Sequence, residues 1–99
     1  MQISLRLTFI KTMPLKPLRQ QIDQIDTHLL ELLSQRMGVS QEIAKIKAAN
    51  NLEIYDPARE IEVLQKLRKL GTSLNLNPEF VVTIYQLIFE EFKQIQRIE

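Results

Sequence analysis

The sequence predicts an all-α fold, with three helices of which the first is very long, assembled as an intertwined homodimer. Three observations lead to this prediction. Apolar residues recur at helical spacing in three segments, while strand-like alternation is confined to the first dozen residues. No proline interrupts the first helical segment between Leu18 and Ala49. An acid or amide followed by proline, a typical helix start, opens each of the other two segments.

The first helix is predicted to run from about Leu18 to Ala49, where Asn50 and Asn51 end it. Alternating steps of four and three residues trace its seam through Leu18, Ile22, Ile25, Leu29, Leu32, Arg36, Val39, Ile43 and Ile46. The helix would be roughly 48 Å long, whereas a compact chain of this size has a radius of gyration of about 13 Å. We therefore expect a second copy of the chain to cover the seam. The alternative is a four-helix monomer whose first helix breaks near Gly38.

The two remaining helices have clear start signals. Asp56-Pro57 offers an N-cap acid and a proline at the first helical position, and Gly71 is expected to stop that helix. Asn77-Pro78 repeats the start signal for the third helix. The residues expected to be buried are Ile61, Leu64, Leu67 and Leu70 in the second helix, and Phe80, Val81, Ile84, Leu87, Ile88, Phe92 and Ile95 in the third.

The length of 99 residues allows one small domain. Residues 14–99 are expected to form it, and residues 1–13 to be a loosely ordered N-terminal extension. The extension alternates like a strand, but no other strand-like segment is available to pair with it. Arg6 makes it a poor secretory signal. A cytoplasmic location is therefore expected.

Composition excludes several classes of function. The 13 lysines and arginines nearly balance the 12 acids, so the net charge of +1 provides no general attraction for nucleic acid. The chain has no cysteine and one histidine, which argues against a thiolate nucleophile or a zinc site. No apolar run approaches the roughly 20 residues of a membrane span. We expect no cofactor, no metal, no nucleic acid and no membrane partner.

Arg36 is the one charged member of the predicted seam. A desolvated, unpaired guanidinium would cost several kcal/mol, so it must reach water or meet an anion. Lys47 lies eleven residues further on and returns to within about 20° of the same helix face. Arg59 opposes the dipole of the second helix, which an anion would also explain. Alternatively, Arg36 extends to solvent, Lys47 marks a fraying terminus and Arg59 pairs with Asp56 or Glu62.

Arg19 lies seventeen residues before Arg36, or about 25 Å along the axis. It cannot share a small ligand with Arg36 on one helix, but it could do so across an antiparallel dimer. Several arginines and a lysine among aliphatic residues, without a nucleophile or metal set, describe a pocket for a small dianion. Arginine binds carboxylates in bidentate fashion. Such a pocket can bind and orient its ligand.

Four motifs together resemble the all-helical, AroQ-type chorismate mutase family: LRQQIDQID (Leu18–Asp26), LLSQR (Leu32–Arg36), IAKIK ending at Lys47, and DPARE (Asp56–Glu60). The resemblance covers roughly Leu15–Gln96. It implies an intertwined dimer with two active sites and conversion of chorismate to prephenate in aromatic amino-acid biosynthesis, an isomerase reaction without a cofactor.

The resemblance also implies roles for individual residues. Arg36 and Arg59 would hold the substrate's carboxylates, together with Arg19 from the other protomer. Lys47 and Gln96 would donate to the ether oxygen, which makes Lys47, Gln96 and Arg36 the expected catalytic residues. Glu60 would accept from the ring hydroxyl, and Asp56 would border the same region.

Phe92 departs from the family pattern, because many family mutases carry a serine four residues before the equivalent of Gln96. An aromatic residue there resembles the isochorismate-pyruvate lyases of salicylate synthesis, which share the fold and the cations. Glu60 instead resembles the mutases and would address the substrate directly, so the mutase is favoured. The second alternative is a non-catalytic helical dimer whose cations are solvated.

Overall fold

The computed structural model describes residues 14–98, and their side chains up to Ile95. Three helices follow one another: α1 (Leu15–Ala49), α2 (Pro57–Ser73) and α3 (Pro78–Ile98). Within residues 14–98 no strand occurs, so the all-α class and the three helices are confirmed. The predicted extension lies outside the described residues.

Helix α1 is continuous over 35 residues and passes through Gly38 without a break. The alternative in which the helix is broken at Gly38 is therefore wrong. The helix begins three residues earlier than predicted and includes Pro17 in its first turn. Proline is tolerated there because the first backbone N–H groups of a helix have no intrahelical partner. The helix ends as predicted at Asn50 and Asn51, and Asn51 adopts a left-handed φ of 56°.

The chain divides into two units, with the boundary after Gly38. The described part of the first unit is a single helical segment, and its apolar seam is open to solvent in one chain. Seam residues Leu18, Ile22, Ile25, Leu29 and Leu32 are each between 46% and 58% exposed. A contiguous exposed stripe of this kind is typical of an interaction surface.

The second unit contains the end of α1 and the α2–α3 hairpin, whose two helices pack against each other at Gly71. A Cβ built on Gly71 would come within 2.9 Å of Val81 Cγ2. Val81 and its neighbour Val82 are buried. An ion pair between Arg68 and Glu79 also joins the two helices.

The prediction that Gly71 stops α2 is wrong. The helix continues to Ser73, and Asn75, with a φ of 61°, supplies the left-handed conformation of the turn. Gly71 itself has no positive φ. Its small size permits the close approach of α3, and this contact, rather than helix termination, is its structural role.

The start of α3 at Asn77-Pro78 is confirmed, since Asn77 Oδ1 accepts a hydrogen bond from the Glu79 N–H at 3.0 Å. The expected burial of its stripe is correct only in part. Within a single chain Phe80 and Leu87 are more than half exposed. In α2, Ile61 and Leu70 are likewise exposed. Within the described part of the chain, these apolar side chains are not covered.

Gly71→Ala is expected to destabilise the protein, because the added methyl group would overlap the stiff side chain of Val81. Overpacking costs about 1–3 kcal/mol, which exceeds the gain of up to about 1 kcal/mol in helix propensity. Gly38→Ala is the matched control: it meets no atom within 4 Å and should raise stability slightly. Thermal unfolding at equal protein concentration compares them. Equal or higher stability of Gly71→Ala would contradict the packing role.

Candidate functional site

Lys47 lies in the last turn of α1 and reaches the loop that leads to α2. Its Nζ is 3.5 Å from the carbonyl oxygen of Ile54 and 3.9 Å from Asp56 Oδ2. The side chain is 24% exposed, so the ammonium group is held beside the loop while remaining accessible. These contacts argue against the alternative in which Lys47 marks a fraying helix terminus.

Asp56 has two structural connections at this point. Its Oδ1 accepts a hydrogen bond from the Arg59 N–H at 3.0 Å and thereby caps α2, while Oδ2 faces Lys47. The cap satisfies one of the backbone donors that every helix start leaves unpaired. Pro57 at the first helical position reinforces the same start. One carboxylate therefore fixes both the beginning of α2 and the neighbourhood of Lys47.

Arg59 follows Asp56 in the first turn of α2, and its guanidinium lies at the surface. Its Nη1 donates to Glu62 Oε1 at 2.8 Å, and both side chains are largely exposed. Glu62 is one of the two alternative partners predicted for Arg59 from the sequence. Exposed pairs between residues i and i+3 are worth only about 0.2–1 kcal/mol. The guanidinium can therefore exchange Glu62 for another anion at small cost.

Glu60 is tied to α3 through Lys93. The Lys93 Nζ lies 3.4 Å from Glu60 Oε1 and 3.4 Å from Glu90 Oε1, and it stands 4.3 Å above the centre of the Tyr55 ring. Glu60 and Lys93 are both mostly buried, at 26% and 22% exposure. The ammonium group thus connects the α1–α2 loop, α2 and α3 at one point.

The environment of Lys93 favours its charged form. Burial alone would lower the pKa of Lys93, but the contacts with Glu60 and Glu90 outweigh this and raise the pKa above its ordinary value of 10.5. A raised lysine pKa contributes stability that is fully present below the ordinary pKa and is lost as the pH rises through the folded value. Lys93 is therefore charged at neutral pH, and its contribution to stability is complete there.

A cleft of about 370 Å³ opens beside Glu60. Its walls come from the α1–α2 loop, α2 and α3, and are formed by Tyr55, Pro57, Glu60, Ile61, Leu64, Gln86, Phe89 and Glu90. Of the predicted site residues with described side chains, Glu60 alone lines this cleft. The volume is within the range of small-molecule sites.

The structure brings together Lys47, Asp56 and the start of α2. Arg36 and Arg19 belong to the first unit, where Arg36 is half-buried and Arg19 is exposed. Phe92 is half-buried on α3, and the side chain of Gln96 lies outside the described part.

Lys93 and Tyr55 are not among the site residues predicted from the sequence. The i,i+3 spacing of Glu90 and Lys93 was visible, but the contact with Glu60 joins residues 33 positions apart. Among the described residues, no group of three or more histidine, cysteine, aspartate or glutamate side chains could hold a metal ion. The described site consists of cations, carboxylates and apolar walls.

Comparison of the sequence with known proteins identifies the family of this chain. The sequence profile of the family "Chorismate mutase type II" matches residues 18–97, which include every predicted site residue. The chain belongs to this family. A chorismate mutase of Methanocaldococcus jannaschii is 31% identical over 83 residues, which are 84% of each chain. The family resemblance inferred from the four motifs is therefore confirmed for this chorismate mutase-type domain.

Two further relatives add structural and architectural context. The structure of chorismate mutase (form II) from Thermus thermophilus superimposes with a TM-score of 0.77 at 27% identity, covering 85% of this chain and 94% of the other. A bifunctional chorismate mutase/prephenate dehydratase of Buchnera aphidicola is 39% identical over 79 residues. The matched segment makes up only 20% of the length of that bifunctional protein.

No helix among the described residues is long and apolar enough to cross a membrane.

Proposed function

We propose that the chain is a chorismate mutase, an isomerase that rearranges chorismate to prephenate for aromatic amino-acid biosynthesis in the cytoplasm. The observation that carries the proposal is the contact set of Lys47: an accessible ammonium group beside the Asp56 cap, in a chain of the chorismate mutase type II family. The reaction is intramolecular and needs neither a nucleophile nor a cofactor.

The proposed mechanism rests on the attraction between cationic side chains and a dianionic substrate. Arg36 and Arg59 hold the two carboxylates, so that the enolpyruvyl chain folds over the ring in a near-attack arrangement. As the C–O bond breaks, negative charge grows on the ether oxygen, to which Lys47 and Gln96 donate. Each such donor is worth about 2.7–4 kcal/mol, and a 10⁶-fold acceleration needs about 8 kcal/mol. Two donors and preorganisation therefore suffice.

Arg59 reaches this role by leaving Glu62. The exposed pair is weak, and a bidentate arginine–carboxylate contact in a less solvated pocket is stronger. Glu60, on the next position of α2, accepts from the ring hydroxyl. Phe92 and Asp56 border the proposed substrate-binding region, and the Asp56 cap holds the first turn of α2.

The proposed enzyme is an intertwined homodimer. The seam of α1 is exposed along most of its length in one chain, and apolar side chains of α2 and α3 lack cover as well. Burying apolar surface stabilises by about 25 cal/mol per Å², so a second copy is strongly favoured. In this assembly Arg19 of one protomer completes the site of the other.

Sedimentation tests the assembly. The chain should behave as a dimer of twice 11.6 kDa at low micromolar concentration, because the seam is exposed among the residues that the structure describes. A stable, fully helical monomer at that concentration would contradict the intertwined dimer and remove Arg19 from the site.

Mixing two inactive variants tests the shared site. Arg19→Ala and Lys47→Ala dimers, unfolded and refolded together, should regain up to about one quarter of wild-type activity, because half of the dimers are mixed and each has one intact site. Each variant refolded alone is the control. No recovery, with mixed dimers verified by mass, would place both residues in the same protomer's site.

A lyase acting on isochorismate is the second candidate, and Phe92 is the observation that favours it. Glu60 favours the mutase, since it would meet the hydroxyl of chorismate directly. Parallel assays separate them: loss of chorismate in the ultraviolet, and release of salicylate and pyruvate from isochorismate. A folded dimer that turns over neither substrate would instead be a non-catalytic module.

A further inference from the structure

Lys93 contacts the Glu60 carboxylate, and the proposed mechanism leaves this contact unused. It belongs to α3, whereas Glu60 belongs to α2, and their charged groups are 3.4 Å apart in a partly buried setting. Glu90 and the Tyr55 ring contact the same ammonium group. A lysine with three such partners has little freedom to leave Glu60.

Glu60 poses an electrostatic problem for the proposed substrate. A carboxylate beside a dianionic ligand is a like-charge contact, which disfavours binding when the charges are only partly solvated. Glu60 must remain ionised to accept from the ring hydroxyl strongly. A cation in contact with the carboxylate resolves this conflict, because it offsets the repulsion while leaving the acceptor in place.

We infer that Lys93 is a positioning residue of the proposed active site, which holds the Glu60 carboxylate toward the substrate hydroxyl and offsets its repulsion of the dianion. The inference rests on the proposed function. Lys93 acts through Glu60 and does not itself touch the reacting atoms. Its effect is therefore on substrate binding, in the ground state and transition state alike, and should be seen in KM more than in kcat.

The geometry also explains why lysine is suitable here. The Nζ group has three donors, and its partners are two carboxylate oxygens and the face of an aromatic ring. An ammonium group 4.3 Å above a ring is within the distance of a cation–π contact. The Tyr55 ring thus adds a favourable contact that holds the ammonium group at this point, where it also meets Glu60.

Lys93→Met tests the inference, since it keeps the length and apolar stem of the side chain and removes the charge. We expect a rise in KM for chorismate of about three- to tenfold, with kcat within about twofold, the size appropriate to a partly solvated charge contact. Lys93→Arg should retain a KM near that of the wild type. Lys45→Met is the matched control: this exposed lysine also pairs with a glutamate three residues away, at 3.5 Å.

A double-mutant cycle with Glu60→Gln separates positioning from a general structural effect. If Lys93 acts through Glu60, Lys93→Met should have almost no further effect on KM in the Glu60→Gln background. Circular dichroism of each variant checks folding. The inference is overturned if Lys93→Met leaves KM at the value of Lys45→Met, or if it raises KM equally with and without Glu60. A wild-type chain without turnover of chorismate would overturn the proposed function, and the inference with it.

Discussion

Arg36→Leu is expected to abolish turnover of chorismate while leaving the dimer as stable as the wild type, or more stable. Leucine completes the aliphatic series of the α1 seam, which the proposed dimer buries, and apolar replacement of a buried cation is often neutral or stabilising. In the proposed mechanism, the variant also loses a bidentate contact with a substrate carboxylate, which removes both affinity and orientation of the substrate. The measurements are kcat/KM and thermal unfolding on the same preparation.

Arg68→Leu is the matched control for this variant. Arg68 pairs with Glu79 between α2 and α3, so its replacement should lower stability modestly, by less than about 1 kcal/mol, and leave kcat/KM unchanged. A structural Arg36 would behave like Arg68. If Arg36→Leu retains turnover and melts at a lower temperature, the carboxylate role assigned to Arg36 is wrong.

Lys47→Ala is expected to lower kcat by about 10²–10³-fold, because in the proposed mechanism its ammonium group stabilises charge that exists only in the transition state. The fold should be preserved, since Asp56 caps α2 through its other oxygen and does not depend on Lys47. Gln96→Ala should act in the same direction. Lys45→Ala, two positions earlier and exposed, is the control and should keep full activity.

The expected stability of Lys47→Ala is close to that of the wild type, because the Nζ contacts of 3.5 and 3.9 Å are long and partly solvated. Steady-state kinetics and far-ultraviolet circular dichroism together test this. A variant with unchanged kcat and a raised KM would show that Lys47 only binds the substrate. A variant that fails to fold would show that its contact with the loop is structural.

The helices could be predicted because their signals are local. Proline after Asp56 and Asn77 marks two starts, and the period of apolar residues marks α1. Gly71 was misjudged because a glycine near a helix end has two uses, termination and close packing. Only its distance to Val81, a contact between residues ten positions apart, distinguishes them.

The site was predictable to the extent that its residues are close in sequence or belong to a known spacing. Lys47, Asp56 and Arg59 lie within thirteen positions, and their local contacts follow from a helix end, a short loop and a capped helix. The Lys93 contact with Glu60 depends on how α3 packs on α2. No pattern in a single sequence specifies that packing, so this residue emerged only from the structure.

The most direct test of chorismate mutase activity is the initial rate of the full wild-type chain with chorismate, with the product identified by proton NMR. We expect prephenate to form mole for mole as chorismate disappears, with a kcat/KM of at least about 10⁴ M⁻¹ s⁻¹, as is typical of enzymes. The same preparation should release salicylate from isochorismate much more slowly than it converts chorismate, if it releases any. A folded dimer that leaves chorismate unchanged, or that prefers isochorismate, would contradict the assignment.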